Sequence, residues 1–183
     1  MLDSYLVQHC APTLAGLKTG CLFPFPYTSA EALTREIRLT NQRLRPKGLR
    51  LLPLRLSPKR ALLYLYRPRR LTADLSDSTA AALLHRCGYS TEDCDGCVVQ
   101  LARKLRQQED FPHEIGLFLG YPPEDVCGFI ENRARCYKCV GCWKVYGDAD
   151  AAQRKFAQFD KCTRVYCHRW ANGANIDRLA VAG

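Results

Sequence analysis

The sequence predicts an α+β fold in which a small sheet, including a β-hairpin, is covered by several helices. The hairpin is indicated by two apolar runs, residues 49–56 and 61–66, which flank a four-residue turn. The helices are indicated by apolar residues that recur every three or four positions in several segments of the chain. The chain has 183 residues, 47% hydrophobic and 25% charged, so it can bury a real core, and we predict a single α+β domain over residues 1–183.

The N-terminal segment is predicted to begin as a short helix or an extended arm over residues 2–10. A buried strand and a loop are predicted over residues 11–23, and a turn over residues 24–27. Thr28 and Glu31 then have the spacing of a capping box, which opens a helix. The apolar stripe of this helix contains Leu33, Ile37, Thr40 and Leu44.

The hairpin follows this helix, and its first arm contains a proline. Because Pro53 has no N–H to donate, that arm is predicted to lie at a sheet edge or beside a bulge. Ser76 or Asp77 is predicted to cap the next helix, which Gly88 closes. A longer helix is predicted over residues 92–108, with one apolar face formed by Cys94, Cys97, Val98, Leu101 and Leu105.

The C-terminal part is predicted to contain four more helices and one strand. The first helix is expected over residues 112–119, and the second is expected to begin at Pro123 with Val126, Phe129 and Ile130 buried. The third is expected to begin after the cap Asp148, and the fourth to cover residues 161–171. Glu114 is expected to favour the positive N-terminus of the first of these helices. The strand is expected over residues 142–146, with Trp143 and Val145 on one face.

The net charge of +9 is concentrated in one segment. Residues 35–70 contain twelve Lys or Arg and one acidic residue, Glu36, so this segment carries +11 and the rest of the chain sums to −2. A patch of one sign attracts anionic partners. We therefore expect this segment to bind an acidic protein or an anionic ligand, with Arg67, Arg69 and Arg70 as anion-binding residues. Nucleic acid is the less favoured partner, because no recognisable nucleic-acid-binding motif is present.

The composition also bears on the location of the protein. No apolar run approaches the roughly 18 residues that a membrane helix needs. The N-terminus lacks the basic and apolar regions of a secretory signal, so we expect a cytoplasmic protein without a membrane partner. In a reducing compartment, eleven cysteines are expected to be thiols or metal ligands, and an odd number cannot all pair within one chain.

The sharpest local motif is Cys136-x2-Cys139-x2-Cys142. Three thiols at this spacing can converge on zinc or on an iron–sulfur cluster. The fourth ligand could come from Cys127, Cys162, Cys167 or His168, and we favour Cys162. Cys162 and Cys167 would lie about 140° apart on a helix, which disfavours both binding one ion. The best interpretation is a metal-binding or redox site, and the alternative is that these are small apolar residues.

Two other cysteine patterns are weaker. Cys94 and Cys97 share the apolar face of a predicted helix, which favours core packing over redox chemistry. Cys10 is a candidate nucleophile because His9 and Lys18 could supply a base and a positive environment. The alternative is a buried cysteine beside a surface histidine. Whether the protein is an enzyme stays open.

Three segments carry a family resemblance: HCAPTLAGLK (residues 9–18), FPHEIGLFLGYPPEDVCGFI (111–130) and WKVYGD (143–148). With them the chain resembles an uncharacterised family of small cytosolic proteins from anaerobic bacteria, a domain of unknown function. The resemblance covers most of the chain. It implies no activity, cofactor or partner.

Overall fold

The computed structural model describes residues 1–89, 93–107 and 110–183 and has the predicted α+β fold. A three-stranded antiparallel sheet and a small two-stranded sheet are combined with helices. The chain divides into two compact units, one formed by Met1–Arg69 with Phe159–Gly183 and the other by Arg70–Gln158. The prediction that residues 1–183 are one domain stays a prediction.

The first unit is built on the three-stranded sheet. Its elements are α1 (Leu2–Leu14), β1 (Gly20–Pro26), α2 (Ala30–Leu44), β2 (Arg50–Ser57), β3 (Arg60–Tyr66), the C-terminal part of a long helix and a short terminal helix, Ile176–Leu179. The strand order is β1-β3-β2, so β2 lies at an edge, and its pairing with β3 shifts register between Pro53 and Arg55. The predicted hairpin and the effect of Pro53 are thus confirmed.

The first 26 residues differ from the prediction. Residues 11–14 belong to α1, and the strand runs over Gly20–Pro26, through the predicted turn. α1 continues through Pro12 because one of its faces, which includes Leu6, Cys10 and Leu14, is fully buried. That burial outweighs the cost of about 3 kcal/mol for a proline inside a helix. In β1, Pro24 and Pro26 alternate with buried residues on an edge strand, where prolines are tolerated.

α2 confirms the predicted apolar stripe, since all four predicted positions are buried. Its cap is Ser29, one residue after the predicted Thr28, and the Ser29 hydroxyl accepts a hydrogen bond from the Ala32 N–H at 3.3 Å. The helix ends in a 3-10 turn, Arg45–Lys47, followed by Gly48 at φ +74°. This left-handed conformation is favourable for glycine.

The second unit is mainly helical. It contains most of α3 (Pro68–Leu75), then α4 (Ser78–Arg86), α5 (Cys94–Gln107), α6 (Ile115–Phe118), α7 (Pro123–Glu131), β4 (Cys139–Val140), β5 (Lys144–Val145) and the start of α8 (Ala149–Ala171). The terminal helix Ile176–Leu179 is α9. Asp77 caps α4 as predicted. The predicted limits of the following helix, Glu92 and Gln108, lie outside the described residues.

Three predictions in the second half of the chain are wrong. α6 is only four residues long, and the Glu114 side chain makes no capping hydrogen bond at its start but accepts a hydrogen bond from Lys104 Nζ at 2.7 Å. Phe129 and Ile130 are half-buried, whereas Asp125 is buried. The two predicted C-terminal helices are one helix of 23 residues, α8. Within the described ranges, no helix has both the length and the apolar character needed to span a membrane.

Candidate functional site

The three clustered cysteines lie on a short hairpin of the second unit, residues 136–145, which we call the cysteine hairpin. Cys139 opens β4 and pairs with Val145 of β5, and Cys142 lies in the turn between the strands. The side chains of Cys136 and Cys142 are exposed, and that of Cys139 is half-buried. The hairpin therefore presents its thiols to solvent, whereas Trp143 and Val145 are buried, as the strand pattern predicted.

The backbone that leads into the hairpin is strained. Arg133, Ala134 and Cys136 have φ values of +48°, +61° and +58°, in the left-handed region that disfavours side chains. Each such residue costs on the order of 1 kcal/mol or more and persists only where the surroundings fix it. Here the Ala134 N–H donates to the Phe129 carbonyl at 2.8 Å, and Lys144 Nζ donates to the Ala134 carbonyl at 2.8 Å.

Asp125, on the first turn of α7, holds the other end of the hairpin. Its Oδ2 accepts a hydrogen bond from Trp143 Nε1, and its Oδ1 accepts from the N–H groups of Tyr146 and Gly147, all at 2.7 Å. The side chain is 3% exposed, so these charge-assisted bonds form in a desolvated place where they are strong. Asp125 thus joins the second and third segments of the family resemblance.

Aromatic packing fixes the tryptophan at the base of the hairpin. The Trp143 ring stacks on Tyr121 at 4.8 Å and meets Phe156 of α8 edge-on at 4.6 Å. A Cβ atom at Gly141 would overlap the Phe156 ring, so glycine is required at this turn. The hairpin is therefore a rigid frame with exposed thiols.

Two concave surfaces adjoin this frame. One, of about 410 Å³, is largely apolar and contains Cys142 together with His113, whose ring lies 5.2 Å from that of Phe129. The other, of about 470 Å³, contains Lys155 and five acidic residues: Asp74, Asp77, Glu124, Asp125 and Asp148. The cysteine hairpin thus borders a pocket whose lining includes a thiol, Cys142, and an imidazole, His113.

The four predicted metal ligands fall in different units. Cys136, Cys139 and Cys142 belong to the second unit, and Cys162 belongs to the first. Cys162 is half-buried on α8 against the core of the first unit, and burial raises its pKa. Among the described residues, no three His, Cys, Asp or Glu side chains form a group that could hold a metal ion. A site of Cys136, Cys139, Cys142 and Cys162 stays a prediction.

The candidate nucleophile Cys10 is an interior residue. It is fully buried on α1, and burial raises its pKa well above the usual range, which disfavours the thiolate. His9 is exposed, and its ring stacks on Phe23 at 5.9 Å. Sequence reasoning missed Cys21, whose thiol donates a hydrogen bond to the His9 carbonyl at 2.9 Å. The structure therefore favours the buried-cysteine interpretation of this segment.

The basic segment divides into interior and exposed residues. Arg67 is 5% exposed and donates to the carbonyls of Thr13, Leu14 and Val181 at 2.8 Å, so it is a structural residue and not part of an anion-binding surface. Tyr64 and Tyr66 are also buried and stack on each other at 4.7 Å. They are not available to stack on bases. The exposed basic residues of the segment are Arg35, Arg38, Arg45, Lys59, Arg60, Arg69 and Arg70.

The fold and the site define a helix-rich α+β protein that carries a rigid, thiol-bearing hairpin. The chain belongs to a family described as protein of unknown function (DUF3793), whose model matches residues 6–180. This match confirms the resemblance to a domain of unknown function; an origin in anaerobic bacteria stays a prediction. The chain matches no curated protein and no solved structure.

Proposed function

We propose that this protein is cytoplasmic and binds zinc or an iron–sulfur cluster through the cysteine hairpin. The observation that carries the proposal is the exposure of the Cys136 and Cys142 thiols on one short hairpin. Cysteines that merely fill space are buried, as Cys10 and Cys97 are. Exposed thiols contribute little to packing, so binding or redox chemistry is the better explanation for a cluster of them.

The frame of the hairpin supports the same proposal. Asp125 fixes the hairpin near its base. The left-handed backbone of Ala134 and Cys136 sets the direction of the chain where the hairpin begins, at its first cysteine. A site held by such contacts loses less conformational entropy when it binds a ligand. The three thiols would supply three of the four ligands of a tetrahedral ion once the Cys136 and Cys142 side chains turn toward Cys139, since the described side chains do not form a metal-holding group as they stand. For the fourth ligand we propose His113 of the same unit, because it lines the same pocket as Cys142. Cys162, the ligand favoured from the sequence, stays a prediction that the C162S variant tests.

Metal analysis of anaerobically purified protein tests this proposal. We expect about one zinc or a stoichiometric amount of iron per chain, with visible absorption if a cluster is present. The variant C136S/C139S/C142S should lose the metal. The matched control C87S/C94S/C127S removes three half-buried thiols of the same unit and should keep it. Separate C162S and H113A variants identify the fourth ligand. Metal-free wild-type protein, or metal retained by the hairpin variant, would contradict the proposal.

A second candidate function is the binding of an acidic protein or another anionic partner by the basic face of the first unit. The observation that favours it is that Arg35, Arg38 and Arg45, all exposed near α2, form no ion pair with any described residue. Arg43, by contrast, is held by Asp3 and Asp177 at 2.8 and 3.1 Å. Unpaired cations on one face are available to a partner, and such binding weakens with salt.

Polyglutamate and a short DNA duplex serve as probes for this surface. The variant R35E/R38E/R45E should lose at least tenfold in affinity for polyglutamate at low salt. The variant R154E/K155E/R164E changes the net charge equally at three exposed positions of α8 and should lose much less. Equal losses in the two variants would show that only net charge matters. Tighter binding of the duplex than of polyglutamate would favour nucleic acid.

A further inference from the structure

The apolar pocket beside the cysteine hairpin lies within the second unit and has the size of a small-molecule site. Its volume of about 410 Å³ falls within the roughly 300–1,000 Å³ that is usual for ligand pockets. A cavity of about 150 Å³ is enough to hold benzene, so this pocket has room for a ligand with two rings. Its walls include five large apolar side chains: Phe111, Ile115, Phe129, Val140 and Trp143.

The walls of this pocket favour an aromatic ligand. Phe111, Phe129 and Trp143 are aromatic, and a ring packs favourably against other rings when it lies offset or edge-on. Phe111 is 42% exposed and Val140 is 61% exposed. Large apolar side chains that are exposed together around one cavity indicate a binding surface, because a ligand that covers them removes their apolar area from water.

The charged residues of the lining favour a negative charge on that ligand. The Asp125 carboxylate is 3% exposed, and three N–H groups already occupy its two oxygens. The Lys144 side chain also lines the pocket, and its Nζ lies 5.8 Å from the centre of the Phe129 ring. This ammonium donates to the Ala134 carbonyl at 2.8 Å, and it forms no ion pair with any described residue. Since an ammonium has three N–H groups, two remain for an anion.

We propose that this pocket binds a two-ring aromatic anion, with its rings against Phe129 and Trp143 and its negative group on the Lys144 ammonium. A carboxylate and a phosphate ester would both supply this chemistry, and the competition experiment below distinguishes them. His113 lines the same pocket but is the proposed metal ligand, and the anion does not need it. The inference therefore does not depend on metal binding by the hairpin.

Two dyes with the same rings test the inference. Anilinonaphthalene sulfonate carries a negative charge, and phenylnaphthylamine lacks it. Both dyes fluoresce in apolar surroundings and accept energy from a nearby excited tryptophan. In the full chain with Trp170→Phe, Trp143 is the only tryptophan, and it lines the pocket. We expect the folded chain to bind both dyes with energy transfer from Trp143, and to bind the sulfonate more tightly.

Matched variants locate the charge and the pocket. Lys144→Met should weaken the binding of the sulfonate about tenfold and leave that of the neutral dye nearly unchanged. Lys138→Met is the control, because it removes another ammonium of the same hairpin, one that donates to the Gly147 carbonyl at 2.7 Å, and it should affect neither dye. Val140→Asp adds a negative charge beside the pocket and should weaken the sulfonate. Val99→Asp, at a residue of the same unit that is 59% exposed, should not.

Competition with naphthoate and with naphthyl phosphate identifies the anion. Displacement of the sulfonate by either compound supports the inference, and the tighter competitor gives the class of the ligand. Displacement by neither would overturn it. Folded protein that binds neither dye, or that shows no energy transfer from Trp143, would also overturn it. Equal losses of the sulfonate in Lys144→Met and Lys138→Met, or equal losses of both dyes in Lys144→Met, would show that the Lys144 ammonium does not hold the anion.

Discussion

Replacing Asp125 by asparagine should destabilise the frame of the cysteine hairpin although the two side chains have the same shape. The carboxylate accepts three hydrogen bonds at 2.7 Å, two at Oδ1 from backbone N–H groups and one at Oδ2 from Trp143. Asparagine offers one oxygen and one NH2 group. If the oxygen replaces Oδ1, the amide nitrogen faces the indole N–H of Trp143; in the other orientation it faces two backbone donors.

The expected cost follows from these contacts. A hydrogen bond to a charged group contributes about 1.5–3 kcal/mol to stability, and a buried donor left without a partner costs about 1–3 kcal/mol. Asp125→Asn loses one bond outright and replaces two charge-assisted bonds by neutral ones. We expect the free energy of unfolding to fall by about 3–4 kcal/mol. That is a large part of the roughly 5–15 kcal/mol that stabilises an ordinary protein.

Urea unfolding followed by tryptophan fluorescence measures this change. The chain has two tryptophans, Trp143 and Trp170, so Trp170→Phe leaves Trp143 as the reporter of the hairpin. Glu124→Gln is the matched control, because Glu124 is the exposed carboxylate next to Asp125 and should change stability by less than about 0.5 kcal/mol. For the variants that lack Trp143, urea unfolding is measured by circular dichroism.

A double-mutant cycle isolates the bond to the indole. In a Trp143→Phe background the donor is absent, so Asp125→Asn should cost about 1–2 kcal/mol less than in the parent. The reasoning would be refuted if Asp125→Asn cost no more than Glu124→Gln. It would also fail if the cost were the same with and without the indole.

Two further predictions concern the first unit and the thiols. Arg67→Met should lower the free energy of unfolding by about 3–5 kcal/mol, because buried carbonyls of Thr13, Leu14 and Val181 lose their donor. Arg67→Lys should recover part of this, and exposed Arg69→Met should cost less than about 0.5 kcal/mol; equal urea midpoints for the Met variants would show that Arg67 is not structural. Stability should also fall above about pH 8.5, where unfolded thiols ionise, because burial raises the pKa of several native thiols and the native state then binds more protons than the unfolded state. These thiols are Cys10, Cys87, Cys97, Cys127 and Cys162. Urea midpoints of reduced protein at pH 7 and pH 10 measure the effect, and an unchanged midpoint would count against it.

The features that the sequence predicts correctly depend on short-range patterns. The stripe of α2 repeats at helical spacing, and the hairpin is signalled by two apolar runs around a short turn. Pro53 places its strand at an edge because the missing N–H is a property of that residue alone. Each of these signals is complete within about 20 residues.

The features that the sequence does not predict depend on distant contacts. Arg67 belongs to a basic run, yet carbonyls from residues 13, 14 and 181 surround it. Glu114 has the pattern of a helix-start residue, yet its partner Lys104 lies on the preceding helix, α5. Asp125 also depends on distant contacts, since its three hydrogen-bond donors lie 18 to 22 residues further along the chain. Buried polar residues find their partners through the tertiary fold, and no local spacing encodes those partners.

The cysteines show why spacing alone does not assign chemistry. Cys94-x2-Cys97 and Cys139-x2-Cys142 have the same spacing, but Cys97 is 1% exposed whereas Cys142 lies in solvent. The difference comes from the supporting element: the first pair lies on a helix that faces the core, and the second on a hairpin whose other face is buried. The burial of Cys97 is already indicated in the sequence by the helical apolar stripe around it. The Asp125–Trp143 hydrogen bond holds the tryptophan side chain inward, and its neighbour Cys142 is exposed. The metal proposal therefore depends on that contact, and Asp125→Asn should weaken metal retention together with stability.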